Sequence, residues 1–373
     1  MKYFGVISCN FYTNFTNYGT VLQSWALCNV INKLGIENGW KSKLVDYCPD
    51  TLLDKDPLNP FKHSWDKDEE SKRMIELTMP DIKVNYDKIM SFYHSQFEIT
   101  NKYVSENFNE ISQEKLEGYI CGSDTVFCID EFGFDNVFYA NMSCMKNGKT
   151  ISYAASFGDS HFDENTYQIL NQRLSNFKAI GIREENMMDY VRKHVPAQIP
   201  VQRTIDPTLL LDADDYKSIT LTEKLIEEPY ILIYSRRYNP MMEQYADNLA
   251  KKYGYKVVEI SLRACNKSKH IMMYSAGVEE FLSLVKNAEF VVTNSFHGLI
   301  FSTIFKTPFY VFSREQGDTK INELLDLFGL KNRLVNKPDL LEEVIDFEEV
   351  HRRINDKKIT SLEYLNEELK KFN

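Results

Sequence analysis

Short apolar runs alternate with amphipathic stretches along most of the chain. Tyr230–Tyr234, Phe290–Thr293 and Phe309–Phe312 are almost continuously apolar, which is typical of parallel strands buried on both faces. Tyr18–Leu34 instead has its apolar residues at helical spacing, and Gly35 follows, where we expect the helix to end. Strands that alternate with amphipathic helices in this way predict layered α/β domains.

The series of strands and helices occurs twice along the chain. A break comes at Pro200–Pro207 and the polar segment Asp212–Glu228, after which a fresh strand begins. We therefore predict two doubly wound, Rossmann-like domains, residues 1–207 and 208–373. The stretch Thr51–Pro80 is polar and contains prolines, so it predicts a long loop. Further strands are predicted at Tyr3–Ser8, Leu44–Tyr47, Tyr119–Cys121, Thr150–Ala155, Ala179–Ile182 and Lys256–Ile260, and further helices at Tyr86–Phe108, Phe162–Phe177, Glu184–His194, Met241–Tyr253, Val278–Lys286, His297–Phe305 and, at the end of the second domain, Leu340–Phe372.

A cleft between two such domains is the expected ligand site, because doubly wound sheets bind ligands beyond the carboxyl ends of their strands. His297 follows the predicted strand Phe290–Thr293 at a strand-to-helix turn, with Asn294 and Ser295 as candidate binding residues before it. The free N–H groups and the dipole of a helix N-terminus favour an anion there. His297 is therefore either an acid–base or phosphate-facing histidine or a buried structural histidine beside a helix cap.

Polar residues also follow two predicted strands of the first domain. Asn17 and Gly19 lie between the first strand and the first helix, and form either a nest for an anion or sugar hydroxyl or a capped turn. The turn matches neither a dinucleotide fingerprint nor a P-loop, which need more glycines. Ser123 and Asp124 follow Tyr119–Cys121, where the carboxylate either orients or deprotonates a hydroxyl or caps the next segment.

Three arginines stand just past predicted strands. Arg183, Arg236 and Arg314 could each fork onto a carboxylate or phosphate, although α/β topology tends to place polar residues there in any case. For Arg183 a surface pair with a neighbouring glutamate is the alternative. The histidines other than His297 lack the spacing of metal ligands, so we predict no metal site.

Composition excludes several classes of protein. The 373 residues carry a net charge of −10, which excludes a general nucleic-acid binder. No apolar run reaches the length of a membrane span, and the N-terminus does not resemble a signal peptide, so we expect a cytoplasmic protein. The seven cysteines are scattered and include no CxxC pair, which argues against a zinc site or a disulfide framework.

Aromatic residues make up 13% of the chain, and most fall on predicted strands and helices, where they fill cores. A smaller set lies in loops near the polar turns, where sugar rings would stack. These residues are Phe11, Tyr12, Phe15, Tyr18, Phe61, Trp65 and Phe296.

Eight segments occur in a fixed order along the chain: Asn17–Leu27, Leu44–Pro49, Tyr119–Phe127, Ile151–Gly158, Gly181–Asn186, Ile205–Leu211, Phe281–His297 and Thr319–Val335. Together this ordered series resembles the polysaccharide pyruvyl transferase family. The resemblance implies a GT-B-like arrangement of the two domains, with an interdomain cleft, the acceptor bound on the side of residues 1–207 and the donor on the side of residues 208–373.

The resemblance also implies an activity: transfer of the pyruvyl group of phosphoenolpyruvate to two hydroxyls of a saccharide, as a ketal, in surface polysaccharide biosynthesis and without a cofactor. His297 matches the essential histidine of the family, Arg183 a position implicated in donor binding, and Asp124 the aspartate of a GSD motif that could orient the acceptor. Members often carry an arginine two residues before the histidine, where this chain has Ser295. Either Arg236 or Arg314 replaces that arginine, or the donor is a different one.

Two other functions stay open. A GT-B-like glycosyltransferase that uses a nucleotide sugar would need a carboxylate for the ribose, which Glu279 or Glu280 could supply. A non-catalytic saccharide-binding protein of the same fold would bury His297 away from any cleft. The expected partners are phosphoenolpyruvate and a saccharide, and a lipid-linked saccharide would bring the protein into peripheral contact with a membrane. The sequence does not indicate an oligomeric state.

Overall fold

The structure, a computed structural model, describes residues 1–9, 12, 16–62, 69–146, 148–262, 269–313, 318–337 and 344–372. None of the helices in these ranges has the length and apolar composition needed to cross a membrane. The strands are β1 (Lys2–Ile7), β2 (Trp40–Cys48), β3 (Ile99–Val104), β4 (Gly118–Cys121), β5 (Thr150–Ala155), β6 (Ala179–Ile182), β7 (Val201–Arg203), β8 (Tyr230–Ser235), β9 (Lys256–Ser261), β10 (Ile271–Met272), β11 (Phe290–Thr293), β12 (Phe309–Phe312) and β13 (Leu334–Val335). The helices are α1 (Tyr18–Asn38), α2 (Glu69–Gln96), α3 (Ile129–Phe132), α4 (Glu164–Leu174), α5 (Met188–His194), α6 (Pro240–Tyr253), α7 (Val278–Asn287), α8 (Phe296–Ile304), α9 (Asp318–Phe328) and α10 (Phe347–Lys370).

The strands form two doubly wound sheets. The first has the order β3-β2-β1-β4-β5-β6-β7 and the second the order β10-β9-β8-β11-β12-β13. Every pairing in both sheets is parallel. The predicted fold class is therefore confirmed. In each sheet the strand order reverses once, between β1 and β4 and between β8 and β11, and ligands of such sheets bind at that switch point.

The carboxyl ends of the two sheets face each other. Gly19, in the first turn of α1 after β1, lies against the ring of His297, in the first turn of α8 after β11. The preceding residue, Tyr18, stacks on Phe281 of α7 with 4.5 Å between ring centroids. Its hydroxyl donates to the carbonyl of Ala276 at 2.6 Å. The two switch points therefore meet across an interdomain cleft, in the GT-B-like arrangement.

Helix α10 crosses from the second domain back to the first. The Tyr364 hydroxyl donates to the carbonyl of Ser152 in β5 at 2.9 Å. Beyond the helix, the ring of Phe372 packs edge-on against Phe4 in β1, with centroids 5.3 Å apart. The end of the segment that the sequence assigns to residues 208–373 thus packs on the first sheet.

The region predicted as a loop over Thr51–Pro80 is partly helical, so that expectation was wrong. Helix α2 begins at Glu69 and passes through Pro80. Proline lacks the N–H that a helix interior needs, but the apolar side chains that α2 buries on one face offset that loss. The predicted helix Tyr86–Phe108 also ends early, at Gln96, and β3 follows as an edge strand. The buried residues of α2 are Met74, Ile75, Thr78, Ile82, Asn85, Ile89, Phe92 and Tyr93.

Helix α1 does not end at Gly35, as the pattern predicted, but continues to Asn38. Gly39 ends it in the left-handed region, with φ 75°. Gly35 is needed inside the helix for a different reason: a Cβ there would lie 2.0 Å from the carbonyl oxygen of Trp40. This glycine therefore permits the close packing of α1 against the start of β2.

Candidate functional site

Residues from five segments form a closed ring of contacts where the two switch points meet, and we call it the cleft ring. Its successive contacts join Thr20 to Asp124, Ser123 to Arg183, Arg183 to Asp206, Asp206 to His297, and His297 to Gly19. The first and second domains both contribute to it, because His297 comes from α8 and the other members come from the first domain and the segment after β7.

Asp206 is the anion at the centre of the cleft ring, and its side chain is 1% exposed. Its Oδ2 lies 2.9 Å from Nη2 of Arg183 and 3.6 Å from Nε2 of His297. Its Oδ1 accepts hydrogen bonds from the N–H and the hydroxyl of Thr208 at 3.0 and 2.6 Å. Burial alone would raise the pKa of Asp206, but the charge of Arg183 and then the interaction with His297 hold it well below its ordinary value. Asp206 is therefore a carboxylate at neutral pH and fixes the positions of both partners.

His297 is buried but is not fully engaged by its surroundings. Its side chain is 9% exposed, and Nε2 is too far from Asp206 for a normal hydrogen bond. Among the described residues, Nε2 has no hydrogen-bond partner. A structural histidine would normally have its ring nitrogens satisfied. The unsatisfied nitrogen therefore favours a role in which His297 meets a ligand or exchanges a proton.

Gly19 is required by the close approach of α1 and α8. A Cβ at this position would lie 2.0 Å from Nδ1 of His297, which is inside van der Waals contact. The glycine that the sequence suggested as part of a ligand nest therefore accommodates the histidine ring itself.

We predict that Gly19→Ala will destabilise the protein and misplace His297. Alanine is the better helix former by up to about 1 kcal/mol, so helix propensity alone predicts the opposite sign. Thermal unfolding of Gly19→Ala and of the double variant Gly19→Ala/His297→Ala separates the two effects. The clash disappears in the double variant, so it should be more stable than the sum of the single changes implies. Strict additivity would contradict the contact.

Asp124 and Ser123 belong to the loop after β4. Asp124 has a left-handed backbone, with φ 73°, and its carboxylate accepts from the Thr20 hydroxyl at 3.2 Å and from the Thr125 N–H at 2.9 Å. A carboxylate has about four acceptor positions, so it retains capacity for a substrate hydroxyl. The Ser123 hydroxyl accepts from Nη2 of Arg183 at 2.5 Å and donates to the Ala154 carbonyl at 3.2 Å. Ser123 therefore positions Arg183.

Arg183 borders a small pocket, with a cavity volume of about 40 Å³, between the first domain and α9. Its guanidinium lies over the ring of Phe296, with 5.0 Å from Cζ to the centroid. Its Nε–H has no hydrogen-bond partner among the described residues. The pocket is lined by Arg183, Glu184, Arg203, Ile205, Asp206, Leu209, Phe296, Lys320, Glu323, Leu324 and Leu327.

The remaining candidate binding residues mostly hold the backbone. Asn17 caps α1, with its side-chain oxygen accepting from the Gly19 N–H at 3.0 Å. Ser295 caps α8 through the N–H of Gly298 at 3.3 Å. Asn294 accepts from the Arg236 N–H at 2.8 Å and so fixes the turn after β8.

Of the other two predicted arginines, the structure describes only Arg236, and it does not line the pocket beside Arg183. Arg236 lines a separate, smaller pocket together with Tyr18 and Tyr274. Arg314 lies outside the described residues. Of the three strand-end arginines, the structure therefore places one in the cleft ring.

The loop aromatic residues have different positions. Tyr18 is 4% exposed, so its face is not open to a sugar, whereas Phe61 is 41% exposed on the surface. Tyr12 donates to Asp46 at 2.6 Å. Phe296 lies under Arg183 and borders the pocket. Phe11, Phe15 and Trp65 lie outside the described residues.

Sequence reasoning did not single out Asp206 or Thr20. Asp206 follows the three-residue strand β7, which the hydrophobic pattern did not reveal, and precedes Pro207 at the start of a 3₁₀ turn. An aspartate directly before such a proline is a turn-capping signal, and that signal could have marked it. Thr20 lies in the segment Asn17–Leu27 that carries the family resemblance, but its role follows only from its contact with Asp124.

Several solved structures are similar to this chain. UDP-GlcNAc 2-epimerase from Neisseria meningitidis bound to UDP-GlcNAc has 11% identity over 100% of this chain and 94% of that chain, with a TM-score of 0.48. MnaA from S. aureus, in a structure with UDP, has 14% identity over 95% of this chain and 87% of that chain, with a TM-score of 0.47. CalG4, the calicheamicin glycosyltransferase, has 9% identity over 100% of this chain and 98% of that chain, with a TM-score of 0.46.

Likeness at this level does not identify a ligand or an activity for this chain. None of the curated proteins matches the chain. The family model described as polysaccharide pyruvyl transferase matches residues 17–316, a stretch that includes the whole cleft ring.

Proposed function

This chain belongs to the polysaccharide pyruvyl transferase family, and from that premise we propose that it transfers the pyruvyl group of phosphoenolpyruvate to two hydroxyls of a saccharide in surface polysaccharide biosynthesis. One observation carries the proposal: a buried carboxylate, Asp206, holds both an arginine that borders a pocket and a histidine with an unsatisfied nitrogen. An anionic donor that must be protonated needs both kinds of group in one place.

The reaction balances without a cofactor. The methylene carbon of phosphoenolpyruvate takes one proton and becomes the methyl group of the ketal. Both saccharide hydroxyls form C–O bonds to the neighbouring carbon, whose bond to the phosphate oxygen breaks. Of the two hydroxyl protons, one replaces the proton given to the methylene carbon and the other leaves with phosphate. The enzyme must therefore supply an acid, a base and stabilisation of the phosphate charge.

His297 is the candidate acid. Protonation of the methylene carbon makes its neighbour electrophilic, and a protonated imidazole would use Asp206 as its counter-charge. Arg183 is the candidate donor ligand, since its Nε–H is unsatisfied and its side chain borders the pocket. Asp124 is the candidate base, because it retains acceptor capacity at the same switch point.

The glycosyltransferase alternative needs a carboxylate that is free to bind a ribose, and Glu280 is already engaged. Of the two acidic candidates for a ribose, the Glu280 carboxylate pairs with Lys88 at 2.6 Å and accepts from the Gly277 N–H at 2.5 Å. It already serves to join α2 to α7 and to cap α7. A ribose would have to compete with these contacts.

We expect the purified protein to bind phosphoenolpyruvate and to release phosphate only when a suitable saccharide is present. Calorimetry with phosphoenolpyruvate, UDP-GlcNAc and UDP-galactose tests the donor without knowledge of the acceptor. Phosphate release and the methyl proton signal of a ketal, measured over a panel of glycosides, test the transfer. Saturable binding of a nucleotide sugar without any binding of phosphoenolpyruvate would overturn the proposal.

A further inference from the structure

We infer that Lys320, in the first turn of α9, binds the phosphate group of the donor opposite Arg183. This inference rests on the proposed function and adds a ligand from the second domain. Lys320 is partly buried and lines the same pocket as Arg183 and Asp206.

The other charged groups of this pocket are already paired. Arg183 lies 2.9 Å from Asp206, and Arg203 lies 2.5 Å from Glu185 and 3.6 Å from Glu323. The remaining acid, Glu184, accepts from the Ser156 hydroxyl and, at 3.3 Å, from the Phe157 N–H.

Lys320 differs from these groups. Among the described residues it has no carboxylate within ion-pair distance and no hydrogen-bond acceptor for its ammonium group. Its charge acts on the Glu131 carboxylate, but from beyond ion-pair distance. Within the part of the chain that the structure describes, Lys320 can therefore meet an incoming anion without first breaking a direct ion pair or hydrogen bond.

The charge of Lys320 also affects the pKa of neighbouring groups in the first domain. Burial and then the charge of Asp124 raise the pKa of the Cys9 thiol well above its usual value, and the charge of Lys320 acts in the opposite direction. Burial also raises the pKa of Glu131, and the charge of Lys320 again acts to lower it. The ammonium is therefore within electrostatic range of these two groups, while its side chain lines the pocket beside Arg183.

The chemistry of the donor calls for more than one cation. A phosphate monoester carries roughly −1.5 to −2 at neutral pH, and the carboxylate adds another charge. Arg183 is partly neutralised by Asp206, so on its own it leaves most of this charge uncompensated. A lysine ammonium is a compact point charge that suits phosphate, whereas the planar fork of an arginine suits a carboxylate. We therefore assign the phosphate to Lys320 and the carboxylate to Arg183.

The test compares Lys320→Gln and Lys320→Arg with wild type. Lys320→Gln should raise KM for phosphoenolpyruvate by about 10- to 100-fold, as expected for loss of a charge-assisted hydrogen bond, and Lys320→Arg should recover most of that loss. The inhibition constant of inorganic phosphate should rise in parallel, whereas that of pyruvate should stay within about twofold, since pyruvate lacks the phosphate.

Lys331→Gln is the matched control. Lys331 follows α9, makes a surface pair with Asp326 at 2.5 Å and does not line the pocket, so its removal changes the net charge equally. Its kinetic constants should equal those of wild type. If KM and the phosphate inhibition constant of Lys320→Gln equal those of Lys331→Gln, the assignment of Lys320 is wrong. If wild type itself does not bind phosphoenolpyruvate, the proposed function fails instead, so the two failures are distinguishable.

Discussion

Replacing His297 with glutamine is expected to lower turnover by about 10²- to 10⁴-fold, the range that a positioned acid–base group contributes. Glutamine keeps a polar side chain of similar reach but cannot carry the proton that the methylene carbon must receive. Because Nε2 of His297 makes no hydrogen bond among the described residues, little structural interaction is lost. The free energy of unfolding should therefore fall by no more than about 1–2 kcal/mol.

The measurement is steady-state phosphate release together with thermal unfolding of the same samples. His351→Gln is the matched control. His351 lies on α10, outside the cleft ring, and its Nε2 is 2.9 Å from the carbonyl oxygen of Thr303 in α8. Its turnover should stay within about twofold of wild type. A His297→Gln protein that keeps full turnover but unfolds much more easily would show that His297 is structural.

Asp206→Asn is expected to destabilise the protein by about 3–5 kcal/mol at pH 7, the usual cost of removing one partner of a buried ion pair. The Arg183 side chain is only 8% exposed, so without the Asp206 carboxylate its positive charge would remain buried and uncompensated. Turnover should fall as well, since His297 also loses the group that positions it.

The pH dependence of this effect has a definite sign. The pKa of Asp206 is depressed in the folded protein, so its contribution to stability is fully present above the unfolded pKa, about 3.9, and is lost as the pH falls through the lower folded value. The difference in unfolding free energy between wild type and Asp206→Asn should therefore be largest at pH 7 and shrink below about pH 4. Urea unfolding at pH 7 and at lower pH measures it.

The double variant Arg183→Met/Asp206→Asn provides the control. Removing both charges should restore a large part of the stability lost in Asp206→Asn, because no uncompensated buried charge remains. A difference below about 1 kcal/mol in the single variant, or no recovery in the double variant, would contradict the role of the pair.

The fold class was predictable because its signals are local. Strands such as Phe290–Thr293 are short apolar runs buried on both faces, and the turns after them carry polar residues. Local signals were insufficient where packing decided the outcome. Gly35 marks a close approach rather than a helix end, Pro80 is tolerated inside α2 because one face is buried, and β3 is a polar edge strand that lacks an apolar run.

The candidate site was predictable only in part. The turns that carry Asp124, Arg183 and His297 were identified one by one, because each follows a strand. The contacts that join these turns could not be identified from the sequence. Asp206 lies 91 positions before His297, and the contact between them depends on how the two domains dock. Lys320 lies within a helix and has no local motif, so only the pocket geometry reveals it.

The path of α10 has a consequence for how the protein is made. Tyr364 and Phe372, which are synthesised long after the first sheet, contact β5 and β1. At about 5–20 residues per second, a ribosome needs on the order of ten to thirty seconds to go from β7 to Phe372. During that interval the first sheet lacks the contacts that Tyr364 and Phe372 make with β5 and β1. The first domain therefore completes its packing only after α10 has left the ribosome, and a nascent chain stalled before α10 would expose that part of the sheet.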